Sequence, residues 1–155
     1  MKKIKVYSVS ILISVATGVL SALATMRSMD IYSTLNLPPL APPSILFPIV
    51  WSILYILMGV SAGMIYLSGA ADTDKVNALF TYGASLFVNF FFSIFFFNMR
   101  MFVLSSVWVV LLWALILLTV VDYSRINKAA AYLQIPYLLW VTFASYLTIA
   151  IAVLN

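Results

Sequence analysis

The stretch LNLPPLAPPSILFPIVWSILY, Leu35 to Tyr55, decides how the chain is read. Pro38, Pro39, Pro42 and Pro43 fall within nine residues, and an apolar run carrying Trp51 follows at once. Such a run enters a membrane. The bulk composition agrees, since 65% of the 155 residues are hydrophobic, only 8% are charged and the mean hydropathy is +1.15, whereas soluble domains carry about a quarter charged residues.

Working outward from Trp51, stretches long enough to cross a bilayer core, which takes roughly 20 helical residues, recur along the chain. They lie near Val6 to Met26, Ser44 to Leu67, Val76 to Phe97, Met101 to Val121 and Ala129 to Leu154. Of the breaks between them, Arg27 to Pro43 alone is long. The expected fold is all-α, one domain over residues 1–155, a five-helix transmembrane bundle whose proline-rich first loop acts as a lid. Prolines fix φ and bias the residue before them to extended backbone, so the loop loses less entropy when it settles on the bundle. A mere connector with Pro43 starting the second helix does not explain the length of this break. A cleaved signal peptide is the rival reading of Lys2, Lys3, Lys5 and the first span, but its apolar run has the length of a full span.

Lysine and arginine counts set the expected orientation. Lys2, Lys3, Lys5, Lys75, Arg125 and Lys128 share one side, and Arg27 and Arg100 the other. The N-terminus is therefore expected in the cytoplasm and the C-terminus outside, in a bacterial cell membrane. The scattered basic residues form no stripe for nucleic acid.

There is no histidine and no cysteine, which excludes imidazole general bases, thiolate chemistry and the commonest metal ligands. No charged residue falls inside a predicted span, whereas coupled pumps carry intramembrane ionisable groups. Asn89 reads as the most polar interior side chain. Faces of three helices mix aromatic, small and weakly polar groups at intervals of three or four residues: Pro48, Trp51, Tyr55, Gly59 and Gly63; Tyr82, Ser85, Asn89, Ser93 and Phe96; Pro136, Trp140, Ala144 and Leu147, with Tyr137 alongside. Ser10, Ser14, Thr17 and Ser21, with Gly18 and Ala22, make a packing face on the first helix. Serine and GxxxG stripes ordinarily mean helix packing, and tryptophans such as Trp108 or Trp113 ordinarily sit in interfacial belts. Trp51 and Trp140 stand about two turns inside their spans beside small residues, where an aromatic wall can border a gap.

The same segments, "IYSTLNLPPLAPPSILFPIVWSILYILMGVSAGMIY", "VNFFFSIFFFN" and "IPYLLWVTFASYL", in that order and over nearly the whole chain, resemble the tryptophan-rich sensory protein family, TspO, whose animal member is the translocator protein or peripheral benzodiazepine receptor. The family pattern W-Y-x-x-L-x-x-P-x-W-x-P-P falls on Tyr32, Leu35, Pro38, Pro42 and Pro43. Its second-helix tryptophan falls on Trp51, its third-helix pattern on Asn89, Ser93 and Phe96, and its fifth-helix pattern on Pro136, Tyr137, Trp140 and Ala144. Ile31, Leu40 and Phe92 stand where the family has tryptophan, and Val88 where it has leucine.

The resemblance implies a receptor or binding protein for porphyrins and similar flat hydrophobic ligands, in a pocket formed by Tyr32, Pro42, Trp51, Tyr55, Asn89, Ser93, Phe96, Trp140 and Ala144. No cofactor is required, and porphyrin is the expected ligand. Passive transport of a lipophilic ligand is one alternative. Light-dependent porphyrin degradation at Trp51 and Trp140 is another, because a bound photosensitiser beside an indole makes oxidation chemically reasonable; no turnover in the dark is expected. Tyr146 is followed by LTIAIAVLN, which lacks the basic residue of the animal members' sterol motif. Membrane lipid and a homodimer are the expected partners, the dimer through small-residue faces at Gly18 and Ala22, Gly59 and Gly63, or Gly83 and Ala84.

Overall fold

A computed structural model describes residues 1–28 and 30–155. Its long helices are α1 (Lys2–Thr25), α3 (Leu46–Tyr66), α4 (Asp72–Ser93), α5 (Phe102–Ser124) and α6 (Lys128–Leu154). A short α2 (Ile31–Thr34) lies in the first loop. All five long helices have the length and hydropathy to span a membrane, α4 counted together with the π-helical turn Ile94–Asn98 that extends it. Each overlaps a span expected from hydropathy and differs from it by a few residues at the ends, because polar residues such as Lys2 and Asp72 continue the helix past the apolar core.

The long helices pack in the ring order α1, α3, α6, α5, α4 and back to α1, neighbours running antiparallel except α1 and α4, which run the same way. Tight packing of α1 on α3 requires missing side chains. A Cβ on Gly59 would collide with the Ile11 backbone and lie 2.8 Å from Ser14 Oγ, and one on Gly63 would lie 2.7 Å from the Tyr7 ring. Ser10 and Ser14 then donate to the carbonyls of Gly59 (2.7 Å) and Tyr55 (2.6 Å), which binds the two helices by hydrogen bonds as well as by contact. The glycines expected to serve a dimer at Gly18, Gly59 and Gly63 are thus filled by the chain's own atoms. Around Gly83, by contrast, a Cβ would meet nothing.

Two expectations about polar residues change. Asn89 has a rival in Gln134, which is fully buried in α6 and donates to Ser61 Oγ at 3.2 Å while Ser61 donates to the Ala130 carbonyl at 2.7 Å. Trp108 and Trp113 are helix ties rather than belt residues: their indole N–H groups donate to the Val88 carbonyl (2.7 Å) and to Thr142 Oγ1 (2.8 Å). A partner on a neighbouring helix satisfies an indole that water would otherwise satisfy at the interface.

The first loop runs across the bundle end opposite the α1 N-terminus. Tyr32 Oη donates to the Pro42 carbonyl at 2.6 Å, Tyr146 Oη of α6 to the Pro39 carbonyl at 2.6 Å, and the Asn155 side chain both accepts from the Asn36 N–H and donates to the Asn36 carbonyl, each at 3.1 Å. Pro38, Pro39, Leu40 and Ala41 form a turn closed by Ala41 N–H on the Pro38 carbonyl (3.3 Å), with Leu40 at φ 72°. Pro43 does not start the helix; it precedes a turn in which Leu46 N–H reaches its carbonyl at 3.0 Å.

Candidate functional site

Beneath that loop lies a largely apolar cavity of about 140 Å³ between α1, α3, α4 and α6. Tyr32, Trp51, Tyr55, Asn89, Ser93, Phe96, Trp140 and Ala144 all line it, so the stripes read separately on three helices converge on one space. They converge because each stripe recurs at the helical repeat and faces the bundle axis at the same depth. Pro42 does not line the cavity. Its carbonyl instead anchors Tyr32 Oη, and Tyr32 in turn packs edge-on against Phe47 at 5.1 Å. Burial pushes the Tyr32 hydroxyl above its ordinary pKa, so it remains a neutral donor to that carbonyl.

The wall is aromatic and ordered by ring contacts. Trp51 stacks on Tyr55 at 5.5 Å and meets Tyr137 edge-on at 6.1 Å, while Trp140 meets Phe47 edge-on at 5.9 Å. Phe96 stacks on Phe92 at 5.9 Å. The π-helical turn directly after Ser93, closed by Met99 N–H on the Ile94 carbonyl at 3.0 Å, widens the helix where Phe96 and Phe97 face the cavity; such single π turns are frequent at functional sites.

Polar groups are few. Asn89 Nδ2 donates to Tyr55 Oη at 2.8 Å, which fixes both side chains at the inner wall. Trp140 differs, because its indole N–H is buried with no hydrogen-bond partner. A buried donor left unpaired costs roughly 1–3 kcal/mol, so an acceptor that reached it would recover part of that cost. Among the described residues none of the lining side chains is a carboxylate, amine or imidazole.

Several wall residues were not among those expected to form the pocket. Gly18, Ser21, Ala22 and Thr25 of α1 line the cavity, as do Phe47, Leu147 and Thr148. The α1 residues were expected only to pack; Gly18 does both, since a Cβ there would strike the Tyr55 ring. Trp51 and Trp140 also border lipid-facing grooves, Trp51 between α1 and α3 and Trp140 between α3 and α6. Each indole is a partition between the cavity and the bilayer side.

Comparison with known proteins agrees with the resemblance. Residues 10–154 match the TspO/MBR family model. The tryptophan-rich protein TspO of Chlorobaculum tepidum is 39% identical over 124 residues, covering 80% of this chain and 78% of that protein. The protein of the same description from Archaeoglobus fulgidus is 33% identical over 147 residues, covering 94% of each. The translocator protein of Bos taurus is 30% identical over 117 residues, covering 75% of this chain and 69% of that one. With the match spanning almost the whole chain and the five-helix architecture in place, this protein belongs to the TspO/MBR family.

Proposed function

We propose that the protein is a membrane receptor for a flat hydrophobic tetrapyrrole, held in the cavity under the first loop and read out in a sensory or regulatory role. The observation that carries the reading is a largely apolar, uncharged wall rich in aromatic rings, to which Trp140 brings a buried indole N–H without a partner. An aromatic macrocycle supplies faces for Trp51 and Phe96, and an acceptor on its rim satisfies Trp140. The cavity of about 140 Å³ is a closed state, because pockets that hold drug-sized ligands span about 300–1,000 Å³. Binding therefore requires the first loop to lift as a lid and the Phe47 and Trp140 rings to turn. By the lysine and arginine bias, the lid faces outward and the N-terminus lies in the cytoplasm.

Equilibrium binding of protoporphyrin to the purified protein tests the site. Trp140→Phe keeps most of the ring area and deletes the donor, so affinity should fall about tenfold, the worth of one good hydrogen bond. Trp51→Phe should cost less. Affinity for every tetrapyrrole unchanged in both variants removes this reading.

A second reading, passive passage of the ligand between the cavity and the bilayer, is favoured by the two lipid-side grooves that share Trp51 and Trp140 with the cavity. Porphyrin flux into liposomes separates it from simple binding. The wall has no group to run acid–base chemistry in the dark; under light, porphyrin loss that needs Trp51 or Trp140 and yields a defined product would make the protein an enzyme instead.

A further inference from the structure

At the bundle end away from the lid, α1, α3 and α4 leave a second space, a groove of about 630 Å³ open to the lipid side. Val6, Val9 and Ile13 form one apolar wall and Leu79 and Leu86 the other, and Lys2 and Lys5 stand at the mouth. Gly83 leaves the groove wide, for a Cβ there would meet nothing within contact distance. The Tyr82 ring, 5% exposed, closes it from the bundle interior. Eleven helical steps of about 1.5 Å separate Lys2 from Ile13, about the depth of one leaflet of a hydrocarbon core roughly 30 Å thick.

We propose that this groove binds one anionic phospholipid, its acyl chain lying between α1 and α4 over Gly83 and its phosphate held by the Lys2 and Lys5 ammonium groups. The occupant is fixed by complementarity of both parts. A cationic mouth above an apolar trough of leaflet depth matches an anionic headgroup on a hydrocarbon tail, and a zwitterionic lipid gains less from the same mouth. Lys75, whose Nζ donates to the Tyr66 carbonyl at 3.1 Å, adds positive charge at the same end. Asp72 and Asp74 stand on the first turn of α4 but do not line the groove.

Native mass spectrometry of the detergent-purified full chain, titrated with phosphatidylglycerol or with phosphatidylcholine of identical acyl chains, tests the assignment. The wild type should retain one phosphatidylglycerol at a concentration lower than phosphatidylcholine by roughly tenfold, from two surface lysines acting on one anionic headgroup. The double variant Lys2→Gln, Lys5→Gln should lose that preference while still holding either lipid weakly. Gly83→Leu should reduce retention of both. Equal retention of the two lipids by the wild type, or a preference that survives the double lysine variant, overturns the proposal. So does a dimer mass in place of the lipid adduct that reverts to monomer in Gly83→Leu, which assigns the groove to a second copy.

Discussion

Gly63 and Gly83 sit at the same end of the bundle and have opposite surroundings. Gly63 is buried against the Tyr7 ring, while around Gly83 there is open space. The same contrast separates the bundle's two halves. Toward the end where α1 begins, Met58, Ile65, Ile116, Tyr123 and Gln134 are wholly buried, and the groove over Gly83 opens outward to lipid. Under the first loop the wall residues Trp51, Phe92 and Trp140 are partly buried around an internal gap. Stability is concentrated where glycines let helices touch, and binding capacity where large rings fail to close the space.

The same methyl group placed in the two environments should have opposite effects. Gly59→Ala drives a Cβ into the Ile11 backbone, which cannot turn aside as a side chain can. Overpacking of this kind costs typically 1–3 kcal/mol and occasionally more, so the thermal unfolding midpoint in detergent should drop by many degrees or the protein should fail to fold. Gly83→Ala fills empty space and removes a flexible residue from a helix, which favours the fold by up to about 1 kcal/mol. If circular dichroism melts show the two variants alike, the α1–α3 contact is not what holds the bundle.

How far these differences are legible in the sequence depends on what each residue needs in order to be read. The spans of the five long helices need only hydropathy, and they lie close to where apolar runs place them. Trp51, Asn89 and Trp140 need a helical repeat, which brings them to one axis. Gly18, Ser21 and Thr25 are different, because a small residue looks the same whether its gap is filled by a neighbour or left as cavity, and only the approach of Tyr55 to Gly18 decides it. Gln134 hides for another reason: its bond to Ser61 joins residues 73 apart. The π-helical turn at Ile94–Asn98 changes the register by which Phe97 reaches the cavity, and the run of phenylalanines around it carries no mark of that change.

A middle-sized effect is expected at the pins of the first loop. Asn155 holds both backbone polar groups of Asn36, and Tyr146 holds the Pro39 carbonyl. These bonds are exposed, where each contributes about 0.5–1.5 kcal/mol. The double variant Asn155→Ala, Tyr146→Phe should therefore release the loop without loosening the bundle. Stopped-flow mixing with protoporphyrin should show association and dissociation both accelerated by roughly tenfold, with the unfolding midpoint nearly unchanged. Unaltered rates would mean that the ligand passes through the Trp51 or Trp140 grooves and that the loop is no lid.

The smallest expected effect lies in the turn at the loop's tip, and it acts in the opposite direction. Pro39 precedes Leu40 at φ 72°, with the Ala41 N–H closing back on Pro38, the arrangement of a type II turn, whose third position favours glycine. Leucine there costs roughly 1 kcal/mol, because its Cβ crowds the following carbonyl in left-handed backbone. The Leu40 side chain is 83% exposed, so it returns little by burial. Leu40→Gly removes the crowding but frees the unfolded loop, and glycine's gain in chain entropy offsets part of the relief. The net should be a few tenths of a kcal/mol toward the closed loop, read as slower deuterium exchange at the Ala41 amide and slightly slower porphyrin entry. Faster exchange in Leu40→Gly would show that the leucine, exposed as it is, holds the loop down through the surrounding lipid, and that the apolar residue at this position anchors the lid rather than straining it.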